Sequence, residues 1–319
     1  MARGAQGRAR PAMSEAVAAL VPVFLVILVG SLLRALRLLD DVQWQGFDNL
    51  IYYVFFPALL IDTIARADLS AAPIGAVAAI LFGATVAAMA LAMALRRSLS
   101  DGSRAQERAF TSFFQGSCRW NSFAALAIGT SLLGREGATL IAVAFVAMIP
   151  VLNVACVTVL AVHAGEGEPR PGRALREVAR NPLIIAIAIG LALWAVPVLP
   201  APALEAAHIL GLAGLGGSLI AVGAGLSLAS LRRPDRFNLA ATLIKLGLVP
   251  ALGLGAAWLL GLDAVSRQAI AIALAVPAAA TSYTLARKMG GDAPRMATIL
   301  TTQSLLSLAS LPAWLWLAA

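Results

Sequence analysis

The sequence predicts an all-α membrane protein with ten transmembrane helices arranged as two inverted five-helix repeats. Three observations carry that expectation. The 319-residue chain is 60% hydrophobic and only 13% charged, against about 25% charged in a soluble domain. Its apolar residues run in long unbroken blocks such as Ala72–Leu95 and Leu239–Leu262, which meet the roughly 20 residues needed to cross a hydrocarbon core. A Gly- and Pro-containing loop near the middle divides the blocks into two sets of five. Five is odd, so two homologous halves must insert with opposite topology.

The spans follow in order. Span 1, Ala16–Ala35, comes after Arg3, Arg8 and Arg10 and superficially resembles a signal peptide. It is long enough to cross, and Arg34 and Arg37 stand where a small-residue cleavage site would be needed. Residues 1–12 have loop composition, which makes Met13 an alternative start. Spans 2 to 5 are Phe47–Ile64, Ala72–Leu95, Phe110–Leu133 and Thr139–Val162. A linker follows at 163–180, with Gly165, Gly167, Pro169, Pro171 and Gly172. Spans 6 to 10 are Asn181–Leu199, Leu204–Leu228, Leu239–Leu262, Ala269–Ala286 and Met296–Leu317. The first repeat is therefore 1–162 and the second 181–319. A weak internal likeness supports the pairing. Span 4 carries Asn121-Ser122-Phe123 before a turn at Gly134-Arg135-Glu136-Gly137, and span 9 carries Thr281-Ser282-Tyr283 before Gly290-Gly291-Asp292.

The net charge of +8 belongs to the loops. Those after spans 1, 3, 5, 7 and 9 hold 16 of the 24 Lys and Arg, the opposite side holds 6, and Arg119 and Lys245 fall within or at the edge of spans. Positive loops stay inside. The chain is thus expected to be a multi-pass protein of the cytoplasmic membrane with both termini extracytoplasmic. This distribution is an orientation signal and not a nucleic-acid face. The only cysteines, Cys118 and Cys156, and the only histidines, His163 and His208, form no metal-ligand pattern. No metal, cofactor or enzymatic activity is expected. Cys118 is the sole candidate nucleophile of an intramembrane enzyme and has no histidine near it in sequence. No ATP-binding motif is present, because the glycines of span 7 (Gly211, Gly214, Gly217, Gly223, Gly225) lack a following Gly-Lys-Ser/Thr. They read as helix-packing residues.

Polar groups in hydrocarbon are costly, about 2.5–3.5 kcal/mol for a central charge on insertion scales, so those that occur mark function. Span 4 reads Gln115-Gly116-Ser117-Cys118-Arg119-Trp120-Asn121-Ser122. Arg119 and Asn121 are two residues apart, a spacing that does not share one face of a regular helix. If both reach one site, the helix is unwound there. Span 9 contains Pro277, which removes a backbone donor and clashes with the preceding turn, followed by Thr281 and Ser282. Broken helices survive at membrane depth only where they line a cavity or bind something, and two at matched positions point to a transport site. Three plainer readings stand beside this: a simple kink at Pro277, a structural ion pair at Arg119, and interhelical glue at Asn121. Asn153 in span 5 and Gln303 in span 10 occupy comparable places and are either glue or substrate contacts. Asp62 is either a proton-coupling group or a surface carboxylate beside Arg66. Glu205 and His208 read as interfacial, and Lys245 as a side chain that snorkels to the boundary.

Four segments together resemble the auxin efflux carrier family, the bacterial relatives of the plant auxin transporters. They are Phe56-Pro57-Ala58-Leu59-Leu60, Arg119-Trp120-Asn121, Arg180-Asn181-Pro182-Leu183-Ile184, and Pro277-Ala278-Ala279 with Gly290-Gly291-Asp292. The resemblance runs over nearly the whole chain from Met13. It implies two inverted five-helix repeats, crossed broken helices 4 and 9 with substrate beside them, and a homodimer formed through a scaffold of spans 1, 2, 6 and 7. It implies organic anions as cargo, auxin in plants and dicarboxylates such as malate or malonate among bacterial relatives. One departure stands out: the plant carriers break helix 4 at a proline, whereas this chain has none between Pro73 and Pro150 and carries Arg119-Trp120-Asn121 instead.

The expected function is secondary transport of small carboxylates by alternating access. Arg119, Asn121, Ser122, Asn153, Pro277, Thr281, Ser282 and Gln303 are the candidate substrate residues, and Asp62 the candidate coupling group. The alternative is an ion-coupled carrier of another substrate class with the same crossed helices, like a bile-acid/sodium symporter or a cation/proton antiporter. An antiporter would be expected to carry carboxylates near the crossing, and none is evident there. Partners beyond the organic anion, the lipid bilayer and a second copy are not expected.

Overall fold

The computed structural model describes residues 13–67, 73–164, 180, 182–196, 201–226 and 235–319, with only the backbone path for 13–20 and Arg135. The greater part of the predicted 163–180 linker lies outside these residues. Among the described residues every regular element is helical. In chain order they are α1 (Met13–Ala35), α2 (Asp41–Leu50), α3 (Phe56–Ala65), α4 (Ile74–Ala94), α5 (Arg96–Leu99), α6 (Arg104–Cys118), α7 (Ser122–His163), α8 (Pro182–Trp194), α9 (Ala201–Ala224), α10 (Arg236–Leu243), α11 (Val249–Leu259), α12 (Ala264–Ala275), α13 (Thr281–Lys288) and α14 (Ala293–Ala318).

Two of these junctions are wide turns made by proline. Residues Ile51–Phe55 join α2 to α3, and Ile244–Leu248 join α10 to α11, each as one π-helical turn. Pro57 and Pro250 stand just inside the helix that follows. A proline ring collides with the carbonyl four residues back and cannot donate to it, and a wider turn relieves the collision. Phe56 and Val249 therefore donate five residues back, to Ile51 and Ile244. Pro250 leaves the Leu246 carbonyl without its usual partner, and the Trp314 indole donates to it at 2.7 Å.

Among the described residues, five continuous stretches are long and apolar enough to cross a membrane: Asp41–Ala65, Ile74–Ala94, Glu136–His163, Ala201–Ala224 and Arg236–Leu259. Of the other predicted spans, α1 is a 23-residue apolar helix whose first turns are described by backbone alone, and the rest are short, divided or polar. α8 has 13 residues, α6 and α12 stop at interruptions, and α14 places Thr301, Thr302, Gln303 and Ser304 in mid-helix. α7 holds the end of predicted span 4 and all of span 5, separated at Gly134 (φ 61°, ψ −143°). That positive φ suits glycine and strains other residues. Leu28 on α1 and Leu212 on α9 are 61% and 54% exposed, whereas Gln115, Asn121, Lys245 and Gln303 are buried. Such an apolar exterior over a polar interior suits a bilayer.

The helices pack as two groups. α9 packs against α1 and α3, and α3 against α8, while α4, α6, α7 and α10–α14 form the rest. Glycine seals the first group. A methyl on Gly30 would strike the Ile220 backbone, and one on Gly223 the Ile27 backbone. Gly211 and Gly214 sit against Leu59 and Phe55, and Gly190 against Ile64. The Ser31 hydroxyl donates to the Gly223 carbonyl at 2.7 Å across the same contact. Without a hydrophobic force between helices in lipid, such close backbone approach supplies the association. Gly223→Val should therefore lower the melting temperature markedly, by about 1–3 kcal/mol of overpacking or more. Gly247→Ala, where an added methyl meets nothing within 4 Å, should change it little. Thermal unfolding of both purified variants checks this.

Candidate functional site

The first interruption lies between α6 and α7. Arg119 is extended (φ −71°, ψ 156°) and Asn121 follows at φ −83°, ψ 87°. The two-residue spacing of Arg119 and Asn121 thus falls on an unwound strand, as the sequence requires for both to serve one site. Asn121 then starts α7, since its Oδ1 accepts the Ala124 N–H at 3.1 Å. The second interruption lies between α12 and α13, where Val276 is extended (φ −63°, ψ 148°) ahead of Pro277. The two interruptions touch: the Asn121 N–H donates to the Pro277 carbonyl at 2.7 Å.

Interrupting a helix orphans its last carbonyls and the donors that would have met them. Gln303 of α14 serves both ends. Its Oε1 accepts the Ala278 N–H at 2.9 Å, and its Nε2 donates to the Gly116 carbonyl at 2.9 Å. In an unbroken helix Ala278 would donate to Leu274. That carbonyl instead accepts from the Lys245 ammonium at 2.8 Å. Lys245 is only 1% exposed, so the sequence expectation that it snorkels is corrected. It sits inside the π turn before Pro250, where one extra residue per turn shifts the helix phase and carries its side chain inward.

Between the two helix groups lies a cavity of about 1730 Å³, larger than the roughly 300–1,000 Å³ of a small-molecule pocket, so it combines a binding floor with a wide vestibule. Arg119, Trp120, Asn121, Ser122, Asn153 and Thr281 line it together with Ala278, Ala279 and Ala280. Arg119 Nη2 donates to Asn153 Oδ1 at 3.2 Å. Arg119 Nη1, Asn121 Nδ2 and Asn153 Nδ2 are buried and have no hydrogen-bond partner among the described residues. All three are donors. The far wall comes from α2 and the turn after it, with Asp48, Asn49 and Tyr52, and from Ser218 on α9. Arg34, Arg180, Arg287 and Lys288 also line the cavity, and Arg34 pairs with Asp41.

Of the predicted residues, Arg119, Asn121, Ser122, Asn153 and Thr281 share the cavity. Pro277 and Gln303 support it from behind, through the contacts above, and do not line it. Ser282 is fully buried, with its hydroxyl unpartnered among the described residues. Asp62 lies elsewhere. It is 5% exposed and accepts from Arg66 Nε at 2.6 Å, while His208 Nδ1 stands 2.8 Å from its other oxygen. Glu205 adds a longer contact to Arg66 at 3.6 Å. That cluster joins α3 to α9. Asp48, Asn49 and Tyr52 were not singled out by the sequence. The available signal was a polar pair opening an otherwise apolar run.

A second charged cluster closes the base of α6 outside the spans. Glu107 receives Arg96 Nε at 3.1 Å and the Ser100 hydroxyl at 2.8 Å, and His163 Nδ1 lies 2.6 Å away. Burial pushes the Glu107 carboxyl up, but the hydrogen bonds from Ser100, Arg96 and His163 outweigh it and hold the group below its ordinary value. The cluster ties α5, α6 and the end of α7 together and does not line the cavity.

Comparison with known proteins bears on the second half of the chain. Residues 170–315 match the membrane transport protein family. This is the family of the auxin efflux carriers, so the match supports membrane transport as the class of activity. The matched stretch contains α8 to α13 and most of α14, and with them the Pro277 interruption, Lys245 and Gln303. Arg119, Asn121 and Asn153 lie before it. A search of curated proteins found no match.

Proposed function

We propose that the chain is a secondary transporter of small organic anions, mono- or dicarboxylates, working by alternating access. The observation that carries this reading is the set of three buried, unpartnered donors, Arg119 Nη1, Asn121 Nδ2 and Asn153 Nδ2. Leaving a buried donor unmade costs about 1–3 kcal/mol, and more for a charged one. A carboxylate has the acceptors to satisfy all three, and a planar guanidinium suits it in two-point contact. α7 and α13 both begin at the cavity, and helix N-termini favour negative charge. Among the described residues the two interruptions carry no carboxylate of the kind a cation antiporter would need.

The fuller reading has ten spans in two inverted repeats, with the interruptions as crossed helices 4 and 9. The glycine-sealed group of α1, α3, α8 and α9 is the scaffold and homodimer face. The other group carries the anion, and its movement against the scaffold exchanges access. Arg34, Arg180, Arg287 and Lys288 fall on the side that the basic loops mark as cytoplasmic, so this is the inward-open state. These cations draw an anion toward Arg119. A thermal-shift screen of the purified protein against small mono- and dicarboxylates, matched amines and neutral amides tests the reading, because a ligand of the folded state raises its stability. Carboxylates should stabilise and amines should not. Stabilisation by amines alone would favour a cation carrier.

A further inference from the structure

Lys245 is a buried charge that anion binding does not use, since it lies outside the cavity lining. It makes no ion pair among the described residues. Burying an ammonium without compensation is prohibitive, so something else must hold it. What holds it is the broken end of α12. The Leu274 carbonyl is free because Ala278, its natural donor, is taken by Gln303, and Pro277 offers no N–H at all. The C-terminal end of a helix carries about half a negative charge. In transporters, unwound carbonyls and half-helix C-terminal ends are where coupling cations bind.

We infer that Lys245 is the resident cation of the interrupted helix, its ammonium filling the seat on the Leu274 carbonyl that a coupling metal cation would otherwise need. The inference rests on the transport reading above and deepens it. The elements packed against the turn that carries Lys245 are α6, α10, α11, α12 and α14. The titratable side chain facing Lys245 from them is Cys118, at the end of α6 and next to Arg119. The consequence is a cavity floor whose fixed positive group is Arg119, backed by a broken helix end that Lys245 already holds. Such a site holds an anion with no sodium ion present. Lys245 is a positioning residue: it sets the end of α12, and through it the Pro277–Asn121 contact, without touching substrate.

The test uses cation rescue. Wild type, Lys245→Met and Lys245→Ala are purified with methylammonium present, then melted in sodium, methylammonium or choline chloride, and titrated with malonate in each. Methionine keeps the volume of the side chain and removes its charge. Both variants should melt about 5 °C below wild type in choline. Malonate affinity should fall about tenfold in both, the scale of a coupling between two sites. Methylammonium or sodium should restore both properties in Lys245→Ala, where the seat is empty, and not in Lys245→Met, where it is filled. Wild type should be indifferent to the cation. The inference is overturned if Lys245→Met matches wild type, if Lys245→Ala shows no preference among cations, or if wild type itself needs sodium. A wild type that binds no malonate leaves the melting arms to decide the seat; failure with every carboxylate in the screen removes the anion reading alone.

Discussion

Replacing Arg119 by alanine should abolish carboxylate binding while the protein still folds and inserts. Truncating one partner of a buried, hydrogen-bonded charge pair costs about 2–5 kcal/mol, so affinity should drop at least about thirtyfold. Arg119→Lys should recover little of it. Lysine keeps the charge but lacks the planar fork, and it loses the geometry that meets Asn153 at 3.2 Å. Asn121→Ala should weaken binding less, since it removes a neutral donor and leaves the charge. A structural role for Arg119 gives the opposite order. Melting temperature and expression would then fall in Arg119→Ala, and lysine would rescue both. Melting curves and carboxylate titrations on the same three variants separate the two accounts. A well-folded Arg119→Ala with normal carboxylate affinity would remove Arg119 from the site.

Gln303→Leu should be the most damaging single change to the fold around the cavity. It strands the Ala278 N–H and the Gly116 carbonyl together, at about 1–3 kcal/mol each. Gln303→Glu keeps an acceptor for Ala278 but sets a carboxylate against the Gly116 carbonyl, and should be nearly as harmful. Ser304→Ala, one residue on, serves as the control: its hydroxyl bridges no interruption. Melting temperature should fall in the order Ser304→Ala, Gln303→Glu, Gln303→Leu. Equal melting of Gln303→Leu and wild type would show that the two interruptions hold together without the bridge.

Why Gln303 carries so much was not legible in the sequence, although the residue was. Its two partners lie 25 and 187 positions away, and contacts of that kind leave no local pattern. The interruptions themselves were legible. A charged residue two positions from an asparagine in an apolar run, and a proline in another, each have a local cost that unwinding relieves. Five of the ten expected spans are continuous apolar stretches among the described residues; helices divided at Cys118 and Ala275, or diluted by polar residues as in α14, do not show one. Lys245 misled for a related reason. A regular helix places it near the boundary, but the wide turn before Pro250 changes the phase of everything upstream. Asp48 and Tyr52 reach the cavity by the same device, through the turn before Pro57. Periodicity read at 3.6 residues per turn passes over both.

The most direct test of the central claim, that the floor of the cavity between the two interruptions selects an anion, is uptake into proteoliposomes. Radiolabelled malonate would be compared with an amine and a neutral amide of similar size, with wild type and Arg119→Ala side by side. Saturable uptake of the carboxylate alone, by wild type alone, is the result expected. Saturable uptake of the amine, or carboxylate uptake unchanged in Arg119→Ala, would contradict it.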